Sequence, residues 1–385
     1  MKIVHYLNRF VLADGGVVRA VLDLAAALAA RGHEVVVLTH TDTDIPASWR
    51  SGQPGAPRLV KLDTPTNPLA RLNRASVARA AEALNGADAL HLHTPWEPSN
   101  PQLAGAARAA GVPHIVSVHG MLDDWCMTQS AAKKRFYWTL TGRKLLETAA
   151  VVHCTAQAEL EQAHKWFPRG TGRVIPLVFD LEPFANLPGP DAARSRFPTL
   201  AGAQLKILFL SRVHPKKGLE VLIDAAAALA QQGVELTLSI VGTGDEAYTQ
   251  MIRQRAESAL GSRAALLGLV TGTDKLSVYQ AADLMAIPTS QENFGFVFPE
   301  ALACRTPVIT TKGVDIWPEL EASGGAAIVD ATPDAFAAAI RRLASDRAAL
   351  IRMGELGREW VFRELDGGRV VERYEALYAD ARAKP

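Results

Sequence analysis

Four short clusters in this 385-residue sequence hold the residue types from which group-transfer chemistry can be built. The most charged is Ser211-Arg212-Val213-His214-Pro215-Lys216-Lys217-Gly218, three cations ending on a glycine, an electropositive nest suited to phosphate. In Gln291-Glu292-Asn293-Phe294-Gly295-Phe296-Val297-Phe298-Pro299-Glu300, two glutamates bracket a glycine-centred aromatic loop. Its carboxylates can hold hydroxyls and its amides can meet an anion, and neither job needs a titrating base. Asp14-Gly15-Gly16 precedes a helix-period stretch, where paired glycines admit close backbone approach and the helix amides offer a positive end to phosphate. A solvated basic turn and a plain loop-to-helix turn are the ligand-free alternatives for the first and third clusters. His93 and His119 each end an apolar run, as polar contacts or proton carriers. For the His91-x-His93 pair we expect rings on opposite sheet faces and therefore no metal.

These clusters need elements that place them together. Strands are expected at Lys2–Leu7, Glu34–Thr39, Asp88–Leu92, His114–Val118 and Val151–Cys154, with helical stretches between them. The first helix runs Val17–Arg31, with Gly32 as its terminating glycine. The pattern restarts at Leu205–Leu210, followed by a helix from Leu219 and strands at Leu236–Val241, Leu284–Ile287 and Val308–Thr310. A short helix is expected to begin at Pro299. Near-continuous apolar strands alternating with helices imply α/β architecture: two Rossmann-like, doubly wound parallel-sheet domains. Ligands in such sheets bind beyond the carboxyl ends of the strands, so the default site is a cleft across which the two domains face. The stretch Pro176–Pro198 holds five prolines and marks the junction. The expected boundaries are 1–180, a linker over 181–204, and 205–365, with a closing helix 366–385 packing back on the first domain.

Composition narrows the function. Residues 1–184 carry 19 Lys/Arg against 16 Asp/Glu and nine of the ten histidines, whereas 185–385 carry 22 against 24. The whole-chain charge of +1 implies no pull toward nucleic acid. No apolar run approaches the ~18–20 residues of a membrane span, and MKIVHYLNRF lacks an apolar leader, so a cytoplasmic address is expected. Three separated cysteines, Cys126, Cys154 and Cys304, are expected to be buried hydrophobes rather than a disulfide or metal set.

The opening Gly-Gly before a helix, "RGHEVVVLT", "VSVHG", "SRVHPKKGLE" and "SQENFGFVFPEAL" occur in register over nearly the whole chain. Together they resemble the family 4 retaining glycosyltransferases of GT-B fold, and Glu292 to Glu300 matches that family's E-x7-E signature. The resemblance implies a hexose moved from a nucleotide-diphosphate sugar, a UDP-hexose or GDP-mannose, to a saccharide or lipid-linked saccharide during cell-surface glycan synthesis. It makes Glu292, His119, Arg212 and Lys217 catalytic. The implied donor contacts are Gly15, Gly16, Arg212, Lys217, Val270, Glu292, Phe294, Gly295, Phe296, Val297 and Glu300. Arg212 and Lys217 would hold the diphosphate, Glu300 the ribose, Glu292 the sugar hydroxyls, and Leu269–Val270 the base. His119 would sit beside the transferring sugar. Neither metal nor cofactor is implied. The family's frequent acidic residue after Gly-Gly is absent, since Val17-Val18-Arg19 follow.

Rival readings on the same fold are a sugar-phosphate synthase, a nucleotide-sugar epimerase and a non-catalytic nucleotide-sugar binder. Gly242-x-Gly244-x-x-Ala247 loosely fits a dinucleotide fingerprint, but Asp245 and Glu246 would oppose a pyrophosphate. Asp42-Thr43-Asp44 mimics a metal-binding DxD and is expected to be an exposed loop. From Ile45 to Ala81 there are six basic residues (Arg50, Arg58, Lys61, Arg71, Arg74, Arg79) and one acid, Asp63. A helix near Leu69–Leu84 would put Arg71, Arg74 and Arg79 on one side. With Lys133-Lys134-Arg135-Phe136-Tyr137-Trp138, this suggests an anionic acceptor and peripheral contact with an anionic inner-membrane face.

Overall fold

The computed structural model describes residues 1–67 and 69–383. Contacts divide the chain into two compact units, one of Met1–Asp180 plus the chain from Leu365 onward, the other Leu181–Glu364.

The first unit is built on seven parallel strands: β1 Lys2–Tyr6, β2 Glu34–Thr39, β3 Arg58–Lys61, β4 Ala89–His93, β5 His114–Ser117, β6 Val151–Cys154 and β7 Gly172–Val174. Their order is β3-β2-β1-β4-β5-β6-β7, so the winding direction reverses between β1 and β4. The central strands β4 and β5 are buried throughout and β1 from Ile3 onward, as strands covered on both faces require. On one face, Val18, Val21, Leu24 and Leu28 of helix Gly16–Ala30 share a core with Val370, Tyr374, Leu377 and Tyr378 of the closing helix Gly367–Ala383. That helix therefore completes the first unit, and positions 384–385 of the expected span lie outside the described residues.

The second unit carries six parallel strands: β8 Leu205–Leu210, β9 Leu236–Val241, β10 Ala264–Gly268, β11 Leu284–Ala286, β12 Val308–Thr310 and β13 Ala326–Ile328. Their order, β10-β9-β8-β11-β12-β13, reverses between β8 and β11. Residues 181–204, expected as a linker, instead belong to this unit. Pro183 and Pro198 sit in the first turns of short helices and Pro190 caps another, so the prolines start structure rather than interrupt it. The segment is tied to helix Gly272–Ala281 by hydrogen bonds from Gly189 N to Gln280 Oε1 (2.8 Å) and from Ala193 N to Ser277 Oγ (3.0 Å). Among the described residues no helix is long and apolar enough to cross a membrane. Cys154 and Cys304 are buried, but Cys126 is only partly so, because it lies on a short surface helix beside the Lys134 ammonium.

Candidate functional site

In open α/β sheets the crevice at the strand-order reversal collects ligands. In the second unit that position belongs to the loops after β8 and β11, which hold the two strongest clusters. The β8 loop is braced from beneath: a Cβ on Gly242 would lie 1.9 Å from the Ser211 carbonyl, and one on Gly244 1.8 Å from that of Val213. The Gly242-x-Gly244 pair is thus a close-packing device, and Asp245 caps helix Glu246–Leu260 by accepting from Tyr248 N (3.0 Å). Gly218 closes the basic turn at φ +67°, where a Cβ would meet the Pro288 carbonyl at 2.3 Å. Ser290 N donates to the Lys216 carbonyl (2.8 Å), which laces the two loops together.

That lacing brings Lys217 onto Glu292. The Lys217 ammonium is almost fully buried and donates to Glu292 Oε2. Burial, with Arg212 and Lys216 close by, pushes this ammonium down to about 7, while contact with the carboxylate favours its charged form. Arg212 is exposed at the same turn, and Lys216 Nζ donates to Gln291 Oε1 (3.0 Å). Glu292 is held by backbone on both sides: its N–H donates to the Gly313 carbonyl (2.8 Å), and its carbonyl accepts from Asp315 N (3.0 Å). Gly295, at φ +61°, turns the chain where a Cβ would strike Phe298 and Glu292 Cγ, at 2.8 and 2.9 Å. Phe294 and Phe296 pack edge to face at 5.3 Å. The following helix is Val297–Ala303, starting two residues before Pro299 because Phe298 N and Glu300 N already bond back to Gly295 and Phe296.

Glu300 is clamped, not free. Lys275 Nζ donates to its Oε1 (2.8 Å) and the Tyr279 hydroxyl to its Oε2 (2.9 Å). The sequence reading missed both partners, although their i, i+4 spacing on one helix was a usable signal. Val270 is buried and Leu269 is exposed.

In the first unit, Gly15 sits at φ +123° and Gly16 opens the helix after β1. Asp44 accepts from Leu12 N (2.6 Å) and Asp42 pairs with Lys61 (2.7 Å), so the Asp42-Thr43-Asp44 carboxylates are occupied locally. His119 follows β5 in a left-handed conformation, φ +49°, uncommon for a side chain bearing a Cβ. Its Nε2 lies 3.2 Å from His93 Nδ1, and His93 Nε2 lies 3.0 Å from His5 Nδ1.

One expectation is overturned here: His91 and His93 lie on the same face, their rings stacked at 4.2 Å, because alternate residues of a strand share a side. His5, His91 and His93 also lie close enough to share an ion. Both nitrogens of His91 and of His93, however, are committed, and of the three rings only His5 has one, Nε2, without a partner among the described residues. Burial keeps all of these rings neutral, pushing His153 to about 4 and His5 and His119 to about 3. His153 Nε2 faces the Ile175 carbonyl (2.8 Å) and must donate to it, so His153 Nδ1 accepts from Ser117 Oγ (2.6 Å). Ser117 then accepts from His91 Nε2 (2.7 Å), and His91 Nδ1 accepts from the Tyr378 hydroxyl (2.8 Å). Both nitrogens of His93 serve the chain to His5 and His119. A metal would have to break these bonds, so the donor set does not fit one.

The basic stretch is also revised. Asn73 caps the helix by accepting from Ser76 N, so it begins at Arg74 and leaves Arg71 outside. Arg79 pairs with Asp63 (2.8 Å), and Arg50 and Lys61 both reach Asp42. Arg58, Arg71 and Arg74 keep no acidic partner among the described residues. Near Lys133–Arg135, Phe136 and Leu140 are 70% and 61% exposed.

Residues 192–360 match the family described as Glycosyl transferases group 1, and residues 15–177 match Glycosyl transferase 4-like domain. A D-inositol 3-phosphate glycosyltransferase of Corynebacterium glutamicum is 30% identical over 68% of this chain, which spans 63% of that protein. One from Kineococcus radiotolerans is 27% identical over 88% of this chain and 85% of its own. Anabaena HepE in complex with UDP superposes with TM-score 0.79 at 19% identity, covering 98% of this chain and all of that one. Sucrose-phosphate synthase from Thermosynechococcus elongatus gives 0.75 at 22% identity, with 98% of each chain covered.

Proposed function

Because the chain belongs to the group 1 glycosyl transferases of GT-B fold, we propose that it transfers a hexose, with retention, from a nucleotide-diphosphate sugar. The observation that carries this reading is the pairing of buried Lys217 with half-buried Glu292 at the strand-order reversal of the second unit, flanked by Arg212. Breaking the anomeric C–O bond puts growing charge on the leaving diphosphate, which Arg212, Lys217 and the amides before Val297 would stabilise. Charge stabilisation of this kind requires no metal. Glu292 would hold sugar hydroxyls, and Glu300, fixed by Lys275 and Tyr279, the ribose. Val270 and the Phe294–Val297 loop would line the base and sugar, with Gly15 and Gly16 bordering the pyrophosphate. His119 would contact the transferring sugar. Retaining hydrolases instead use one carboxylate as a nucleophile, a role that neither glutamate is given in this reading.

The acceptor is an anionic saccharide, lipid-linked or phosphorylated, met by Arg58, Arg71 and Arg74. Exposed Phe136 and Leu140 beside Lys133 and Arg135 support peripheral contact with an anionic membrane. A thermal-shift panel of UDP, GDP and ADP tests the donor. A ligand at 100 times its Kd adds about 2.7 kcal/mol, so the right base stands out. Donor turnover to nucleoside diphosphate, unaffected by chelator and giving a product of unchanged anomeric configuration, is expected. Nucleotide binding without turnover would leave a non-catalytic binder. Greater sedimentation with anionic than with neutral liposomes at low salt is expected, and equal negligible binding would sink the membrane contact.

A further inference from the structure

Among the described residues the chain His5–His93–His119 ends on no carbonyl, unlike the neighbouring chain that Ile175 orients. It can therefore be polarised in two ways. If His119 Nε2 carries the proton, it donates to His93 Nδ1, and His93 Nε2–H donates to His5 Nδ1. The last proton then lies on His5 Nε2, which is sealed from solvent and has no hydrogen-bond partner among the described residues. In the opposite sense His5 Nδ1–H donates to His93 Nε2, His93 Nδ1–H donates to His119 Nε2, and His5 Nε2 is a bare lone pair. The proton of His119 then sits on Nδ1. Buried N–H groups without an acceptor are rarer than under-satisfied acceptors. The second sense leaves none buried: His119 is 8% exposed and its Nδ1 makes no hydrogen bond among the described residues, so that N–H is the one a ligand or water can reach.

We propose that His5 and His93 are positioning residues that hold His119 as its Nδ1–H tautomer, so that His119 meets its ligand as a hydrogen-bond donor. On the function proposed above, from which only the identity of the acceptor is taken, that acceptor is an oxygen of the donor's sugar or phosphate. The left-handed backbone at His119, followed by Gly120 at φ +72°, sets the ring's direction. The histidine chain sets which nitrogen bears the proton.

Long-range proton–nitrogen correlation spectra of the 15N-labelled, ligand-free full chain test this, with His119 identified by its loss in His119→Ala. The expected spectrum shows one tautomer at His119, protonated at Nδ1 and bare at Nε2. His93→Leu should release His119 toward the Nε2–H form that free neutral imidazole prefers. His93→Asn, whose amide nitrogen replaces Nδ1, should restore it. Transfer kcat/KM should fall about 2- to 10-fold in the leucine variant and recover in the asparagine one. A wild-type His119 protonated at Nε2 overturns the proposal even if no variant folds, and so does an unchanged tautomer in a folded His93→Leu. The expected tautomers combined with full turnover in His119→Ala would support the positioning and remove His119 from the proposed function.

Discussion

At the scale of single residues, the candidate site turns on a buried cation, Lys217, whose desolvation is offset by a half-buried carboxylate, Glu292. Lys217 sits below its ordinary value, at about 7, because it is desolvated beside Arg212 and Lys216. A diphosphate placed there would favour the charged form and raise that value. Between the two values binding takes up a proton, so nucleoside diphosphate affinity should fall as pH rises above 7. Calorimetry in buffers of different ionisation enthalpy checks this, and binding without proton uptake would move the phosphate elsewhere. Glu292→Gln keeps the shape but would remove the charge-assisted bond to a sugar hydroxyl that the proposed function gives Glu292. Turnover should drop about 10- to 150-fold in a folded protein. It should also leave Lys217 without its counter-charge, shifting the alkaline limb of the pH–rate profile downward. Wild-type kcat would exclude Glu292 from the site.

At the scale of elements, the loops after β8 and β11 are held by contacts that only glycine permits. Gly218→Ala adds a Cβ 2.3 Å from the Pro288 carbonyl at a left-handed φ. The expected cost is about 2 kcal/mol or more, read as a Tm lower by several degrees. Diphosphate affinity should fall with it, because the Ser290–Lys216 lacing is displaced. Gly105→Ala is the contrast: it lies in helix Asn100–Ala109 with nothing within 4 Å of the new methyl. There the change should stabilise by about 0.5–1 kcal/mol. Equal melting of both variants would show that the loop contact carries no weight.

At the scale of the whole molecule, the first unit buries seven histidines, and burial lowers the pKa of each; His5, His91, His93, His119 and His153 are the five most deeply enclosed. The unfolded chain protonates each near 6.5, while the folded chain resists until about 3 to 4 at His5, His119 and His153, with His91 and His93 also well below 6.5. Below 6.5 the unfolded state therefore binds more protons, and stability present above that pH is lost as pH falls. One unit below, each histidine costs roughly 1.4 kcal/mol, about 7 kcal/mol for all five as an upper bound. Urea midpoints should fall steeply from about pH 6.5 to pH 5, above the range in which carboxylates titrate. A flat profile across that window would mean the rings are solvated or already charged.

The central strands were legible in the residues, since Lys2–Tyr6, Glu34–Thr39, Leu205–Leu210 and Leu236–Val241 are apolar runs that only a sheet covered on both faces can bury. So were the glutamate and basic clusters, because loops carry their chemistry in residue type and spacing. The strands at Arg58–Lys61, Gly172–Val174, Ala264–Gly268 and Ala326–Ile328 were not, and all four are sheet edges. An edge strand is short and half solvated, so neighbours rather than composition decide it. Only the tertiary structure paired Lys217 with Glu292, Glu300 with Lys275 and Tyr279, and His119 with His93 and His5. Each pairing joins side chains from different elements or neighbouring strands, and sequence periodicity describes one element at a time.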